Sequence, residues 1–120
     1  AGYKTGRLMK ALGFNVNLAP VMDVTDPNVD AFIGTRAFGA DPKLVSQMAG
    51  SFAKGLQASG ILPTAKHFPG DGGVNEDSHL RTPIKPIAPA DLAKIDLVPF
   101  AAAAKEKDPL AMMVAHISYP

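Results

Sequence analysis

A chain of 120 residues is long enough for one domain or part of one, and 47% hydrophobic against 19% charged residues is a globular balance that excludes wholesale disorder. A formal net charge of +1 with no lysine or arginine run gives no footing for a nucleic-acid partner, and no apolar run approaches the roughly 18–20 residues of a membrane helix. Cysteine is absent, which excludes disulfides and thiolate chemistry. The compartment stays open, with the cytoplasm as the default, because a chain that does not start with Met says little through the lack of a leader.

The first residues read as the tail of a helix ending near Gly13. Asn15 to Val24, NVNLAPVMDV, is a short apolar run expected to form a buried strand ending between Pro20 and Asp23. A polar loop rich in Asp, Pro and Gly continues to Ala40. Asp41-Pro42 then supplies an N-cap and a first-turn proline. Beyond it Leu44, Val45, Met48, Phe52 and Leu56 recur at three- and four-residue steps, the stripe of an amphipathic helix that stops at Gly60. Ile61 to Phe68 is the second strand. Pro89-Ala90-Asp91 opens another helical stretch, which Pro99 is expected to divide because an interior proline removes a hydrogen bond and clashes with the preceding turn. Leu110 to Ile117 is the third strand.

This alternation of strand and helix predicts an α/β chain with a parallel sheet and crossover helices. No dinucleotide-binding glycine pattern follows the first strand, and Gly70-Asp71-Gly72-Gly73 lacks its spacing. Long polar loops after the first two strands suit the active face of a (β/α)₈ TIM barrel, which usually needs ~250 residues. The expectation is therefore an internal fragment of such a barrel, about two and a half βα units long and cut at both ends. Such a piece would leave strand edges unpaired and an apolar face uncovered, so the isolated chain is expected to be poorly soluble or partly folded.

The segment KHFPGDGGVNEDSHL, Lys66 to Leu80, gathers two of the three histidines, a lysine, three acidic residues and three glycines. Lys66 and His67 stand at the C-terminal end of a predicted strand, where barrel enzymes place substrate-binding and catalytic side chains. Asp77 and His79 are two apart, so an extended segment sends both to one face. A carboxylate there accepts one ring N–H, fixes the tautomer and favours the imidazolium, leaving the other nitrogen to move a proton near neutral pH. The alternative is that His79 caps a turn and Asp77 is simply solvated.

Residues 65–79, AKHFPGDGGVNEDSH, resemble the signature loop of glycoside hydrolase family 3, most closely its β-N-acetylglucosaminidase branch with K-H-F-P-G-H-G, four residues, D-S-H. NLAPVMDV, IGTRAFGADP, DLVPFAAAA and AMMVAHISYP follow in that family's order and spacing, so the resemblance covers essentially all 120 residues. It implies that His79 is the acid/base on a loop, Asp77 its dyad partner, and Lys66, His67 and Arg36 residues that bind the sugar that is cleaved off, the first two by hydrogen bonds to its hydroxyls. Donor-only lysine and arginine side chains suit hydroxyl oxygens. The implied reaction is retaining hydrolysis of terminal β-linked N-acetylglucosamine from cell-wall or chitin fragments, through an aspartate nucleophile and a glycosyl-enzyme intermediate. No cofactor or metal is implied, and the implied partner is a carbohydrate. A histidine acid/base also admits an anionic acceptor such as phosphate.

Two features depart from the pattern. Asp71 stands where that branch usually has histidine, and GDGG is closer to the β-glucosidase and glucan-hydrolase branch. No nucleophile segment of the S-D-D kind follows His79, so the chain is expected to hold half a site and to be inactive alone. Glu76 is read as a solvated neighbour of the dyad. Asp23 and Asp26, at a strand end, are read as structural, as is His116; Met22, Met48, Met112 and Met113 are read as core. By residue type His67, Asp71, Asp77 and His79 could ligate a metal, a weaker reading because zinc sites favour fixed short-range ligands.

Overall fold

In the computed structural model, residues 1–26, 28, 32–74, 76 and 80–120 are described. Helix α1 spans Gly2–Ala11, strand β1 Val16–Asn17, helix α2 Pro42–Gln57, strand β2 Leu62–Phe68, helices α3 and α4 Pro89–Lys94 and Leu97–Ala103, and strand β3 Ala111–Val114. The strands form one sheet in the order β1-β2-β3, all parallel. Sequential parallel order with a helical crossover between neighbours is the layout expected from the alternating pattern.

The first strand is shorter than its apolar run. Pro20 has no N–H to give, so the regular ladder stops after Asn17. The chain still tracks β2: the N–H groups of Thr64 and Lys66 donate to the carbonyls of Ala19 and Pro20 at 2.9 and 3.1 Å, and Met22 N–H donates to Lys66 O. Asp23 is thereby delivered beside the end of β2. The Ala19–Pro20, Lys66–His67 and Phe68–Pro69 peptide bonds are cis, and the β2–β3 register shifts between Lys66 and Phe68.

Helix α2 begins as its sequence dictates. Asp41 caps it by accepting the Lys43 N–H at 2.9 Å, and Pro42 occupies the first turn. Its buried face, however, is Val45, Ala49, Ala53 and Leu56, whereas Leu44 and Met48 are 43% and 49% exposed. Alanines let the helix sit close to the sheet, and they turn its contact face away from the bulkier stripe. The core gathers Met22, Ala49, Ala65 and Phe100, with Phe68 set edge-to-face against Phe100 at 5.5 Å. Met112 is exposed, as is His116, so neither belongs to the core expected from sequence.

Pro99 does not mark the helix break. The interruption falls at Ile95–Asp96, and Pro99 lies in the first turn of α4, where a missing N–H loses no intrahelical bond.

Candidate active site

The end of β2 carries the chemistry. Lys66 and His67 are its last polar residues, and the apolar run through Met22 brings Asp23 alongside. Asp23 is fully buried, and all its described contacts are at this point. Its Oδ1 accepts the backbone N–H of His67 at 3.1 Å and of Asp71 at 2.7 Å, while Oδ2 lies 2.7 Å from His67 Nδ1. One carboxylate therefore fixes both the imidazole and the turn that follows it. Charge-assisted bonds of this length are about twice as strong as neutral ones.

Arg36 closes a 3₁₀ turn, Gly34–Arg36, in the loop after β1. Its Nη2 and Nε donate to the carbonyls of Phe32 and Ile33 at 2.7 and 3.3 Å, and its guanidinium lies over the Phe32 ring, 5.3 Å from the centroid. These contacts hold the head group in place yet use only part of its donor fork. Lys66 lies within reach of that charge. Burial first, and then Arg36, lower the Lys66 ammonium below the usual lysine range, while Asp23 acts in the opposite sense. The structure thus seats His67 on Asp23 and places Lys66 within electrostatic range of both Asp23 and Arg36.

Beneath the loop after β2 lies a second network, which the sequence reading missed. The Gly70 carbonyl accepts from Tyr119 O–H at 2.8 Å and from Lys85 Nζ at 3.3 Å, and Lys85 also pairs with Asp96 Oδ1 at 2.7 Å. The two charged side chains are 12% and 1% exposed. Burial raises the Asp96 carboxyl above its usual range, partly offset by Lys85. Tyr119 is pushed up by burial and by the carboxylates of Asp96, Asp71 and Asp23, so its hydroxyl stays a donor. Glycine is required in this loop. A Cβ on Gly72 would stand 2.4 Å from Val24 O, and one on Gly70, at φ +143°, would meet Asp96 Cβ at 2.6 Å.

Asp77 and His79, assigned from sequence as the acid/base dyad, lie outside the described residues. Glu76 is exposed and 3.4 Å from Arg81, as a solvated neighbour should be. Asp26 closes a turn by accepting the Asn28 N–H at 2.8 Å. Asp71, the departure from the family pattern, is buried. Among the described residues no group of three or more potential ligands could hold a metal ion, and no helix is long and apolar enough to cross a membrane. A concavity of about 480 Å³ lies at the other end of β2, lined by Asn15, Lys54, Gln57 and Asp108 among others, away from this cluster.

One signal for Asp23 was present in the sequence: a single carboxylate inside the apolar run V-M-D-V, which has to find partners if the run is buried. Lys85, Asp96 and Tyr119 carried no comparable mark.

The sequence profile described as "Glycosyl hydrolase family 3 N terminal domain" matches residues 1–120. Beta-hexosaminidase LpqI of Mycobacterium tuberculosis is 44% identical over 118 residues, covering 96% of this chain and 29% of that protein. Among solved structures, NagZ from Neisseria gonorrhoeae in complex with N-trifluoroacetyl-D-glucosamine superposes with a TM-score of 0.88 at 36% identity, covering 99% of this chain and 36% of that one. A glycoside hydrolase family 3 β-N-acetylglucosaminidase from Paenibacillus gives a TM-score of 0.91 at 37% identity over 99% of this chain and 22% of that one. The chain spans about a third of the length of the curated relatives it matches. With a parallel sheet in family order and a full-length match, the chain belongs to the glycosyl hydrolase family 3 N-terminal domain family.

Proposed function

We propose that this chain supplies the acid/base half of a retaining exo-β-N-acetylglucosaminidase that releases terminal β-linked N-acetylglucosamine from cell-wall or chitin fragments. In this reading the 120 residues are part of a (β/α)₈ barrel, and the aspartate nucleophile lies elsewhere in the polypeptide. The observation that carries it is the end of β2, where the buried Asp23 seats His67 and Lys66 lies in the field of Arg36, in a chain whose relatives are named beta-hexosaminidases. Lys66 and Arg36 donate to hydroxyl oxygens of the terminal sugar. His79, steered by Asp77, protonates the bridging oxygen as the nucleophile attacks, then deprotonates the incoming water.

The full-length enzyme is expected to cleave an aryl N-acetylglucosaminide well ahead of the matched aryl glucoside. The reverse preference would support the second reading, a β-glucosidase or glucan hydrolase, which Asp71 within GDGG favours. Running the same assay with phosphate in place of water as acceptor separates hydrolase from phosphorylase.

Lys66 gives this site a pH signature. Because burial and Arg36 lower its pKa, the ammonium loses its proton before an ordinary lysine at 10.5 would. The kcat/KM profile is expected to show an alkaline limb below that value, carried mainly by KM. Lys66→Arg, which keeps a charged donor throughout, is expected to remove that limb.

A further inference from the structure

The Asp23 carboxylate has one feature that anchoring a loop does not need. Its two oxygens are divided between two tasks. Oδ1 collects the backbone N–H groups of His67 and Asp71, and Oδ2 is given to the His67 ring, 2.7 Å from Nδ1. A carboxylate has no proton to give, so in the neutral ring the proton must sit on Nδ1, and Nε2 carries a lone pair. That nitrogen has no hydrogen-bond partner among the described residues, and the His67 side chain keeps 16% of its surface exposed.

We infer that Asp23 is a positioning residue that holds His67 in the Nδ1–H tautomer, so that Nε2 accepts a hydrogen bond from a hydroxyl of the bound sugar. This rests on reading the site as a sugar subsite. Its neighbours make the assignment matter. Lys66 and Arg36 only donate, so with them alone the cluster would recognise any acceptor oxygen. A hydroxyl differs from an ether or carbonyl oxygen in also having a hydrogen to give. An acceptor placed next to two donors selects for that hydrogen, and a buried polar group left without its partner discriminates far more strongly than a missing methylene does. The subsite thus requires a free hydroxyl and rejects a sugar substituted or deoxygenated there.

The test is Asp23→Asn in the full-length enzyme. Asparagine keeps an oxygen for the two backbone N–H groups, so the loop anchor survives, but it turns an NH₂ donor towards Nδ1. His67 must then move its proton to Nε2. Long-range ¹H–¹⁵N correlation of the histidine rings, recorded at a pH where the ring is neutral, is expected to show protonated Nδ1 and unprotonated Nε2 in the parent, and the reverse in the variant. Steady-state kinetics is expected to show a KM-dominated loss of roughly ten- to a hundredfold in kcat/KM, with the thermal midpoint little changed. Mono-deoxy and mono-O-methyl N-acetylglucosaminides are expected to be poor substrates of the parent at one position, with that penalty shrinking in the variant. A parent ring protonated at Nε2, or a variant with an unmoved proton, overturns the inference. Should Asp23→Asn fold poorly, the parent spectrum and the substituted substrates decide the matter. Failure of the parent to cleave any N-acetylglucosaminide would instead sink the proposed function, and the ring spectrum would still report on Asp23 independently.

Discussion

Replacing His79 by alanine in the full-length enzyme is expected to cut kcat/KM on an oligosaccharide substrate by about 10²–10⁴-fold, the usual range for a general acid–base group. The loss follows from the leaving group. A sugar alkoxide departs only if the bridging oxygen is protonated as the bond breaks, whereas a nitrophenolate needs no proton. An activated aryl N-acetylglucosaminide should therefore still form the glycosyl-enzyme. Its hydrolysis then lacks the general base that activates water, so turnover slows after a burst of about one equivalent of nitrophenol. Asp77→Asn is expected to lie between the parent and His79→Ala, because the ring remains but loses the carboxylate that favours its charged form. The deciding measurement is the ratio of the two substrates' kcat/KM values. A variant that keeps the parent ratio would end the assignment of residues 77 and 79.

Lys85→Ala is expected to give the largest loss of stability, about 3–5 kcal/mol, because it removes one partner of a buried pair and leaves Asp96 without its counter-charge. Chemical denaturation of parent and variant measures it. The pH dependence supplies a check of sign. Asp96 is already raised in the folded protein by burial, and without Lys85 it rises further. A folded state that holds a proton more tightly than the unfolded chain gains stability as pH falls towards 3.8, the ordinary value, and loses it as pH rises through the folded pKa. The deficit of Lys85→Ala should therefore be greatest at neutral pH and shrink in acid. A deficit that is constant with pH would mean that lost packing of the lysine stem, and not the uncompensated carboxylate, is the cause.

How much of this was legible in the sequence depended on range. The order of elements and the Asp41-Pro42 helix start are local signals, and they were readable. The face of α2 was readable at Val45 and Leu56 but not between them, because periodicity reports where large apolar residues recur, while the contact there is made through Ala49 and Ala53. Pro99 was readable as a constraint but compatible with two positions, inside a break or inside a first turn. At the site, Lys66 and His67 were marked by type and by their place at a strand end, and Arg36 only by the likeness of IGTRAF to the family's segment. The pairings that seat them were not, since Asp23 and His67 are 44 residues apart and Gly70 and Tyr119 are 49 apart. Pairings at that distance follow from the sheet's register, which no short motif records. Asp77 and His79 rest on the sequence alone.

The Tyr119–Gly70 bond has a consequence for how the chain matures during synthesis. Asp23 and His67 are both translated well before residue 119, so the imidazole clamp forms from segments that emerge early. The phenol that supports the turn beneath it arrives only after β3 has been made. A nascent chain stalled at the end of β3 would thus carry a seated His67 over a Gly70 carbonyl that has Lys85 but not yet Tyr119. Vectorial synthesis assembles this site from its recognition groups first and the phenol of its floor last.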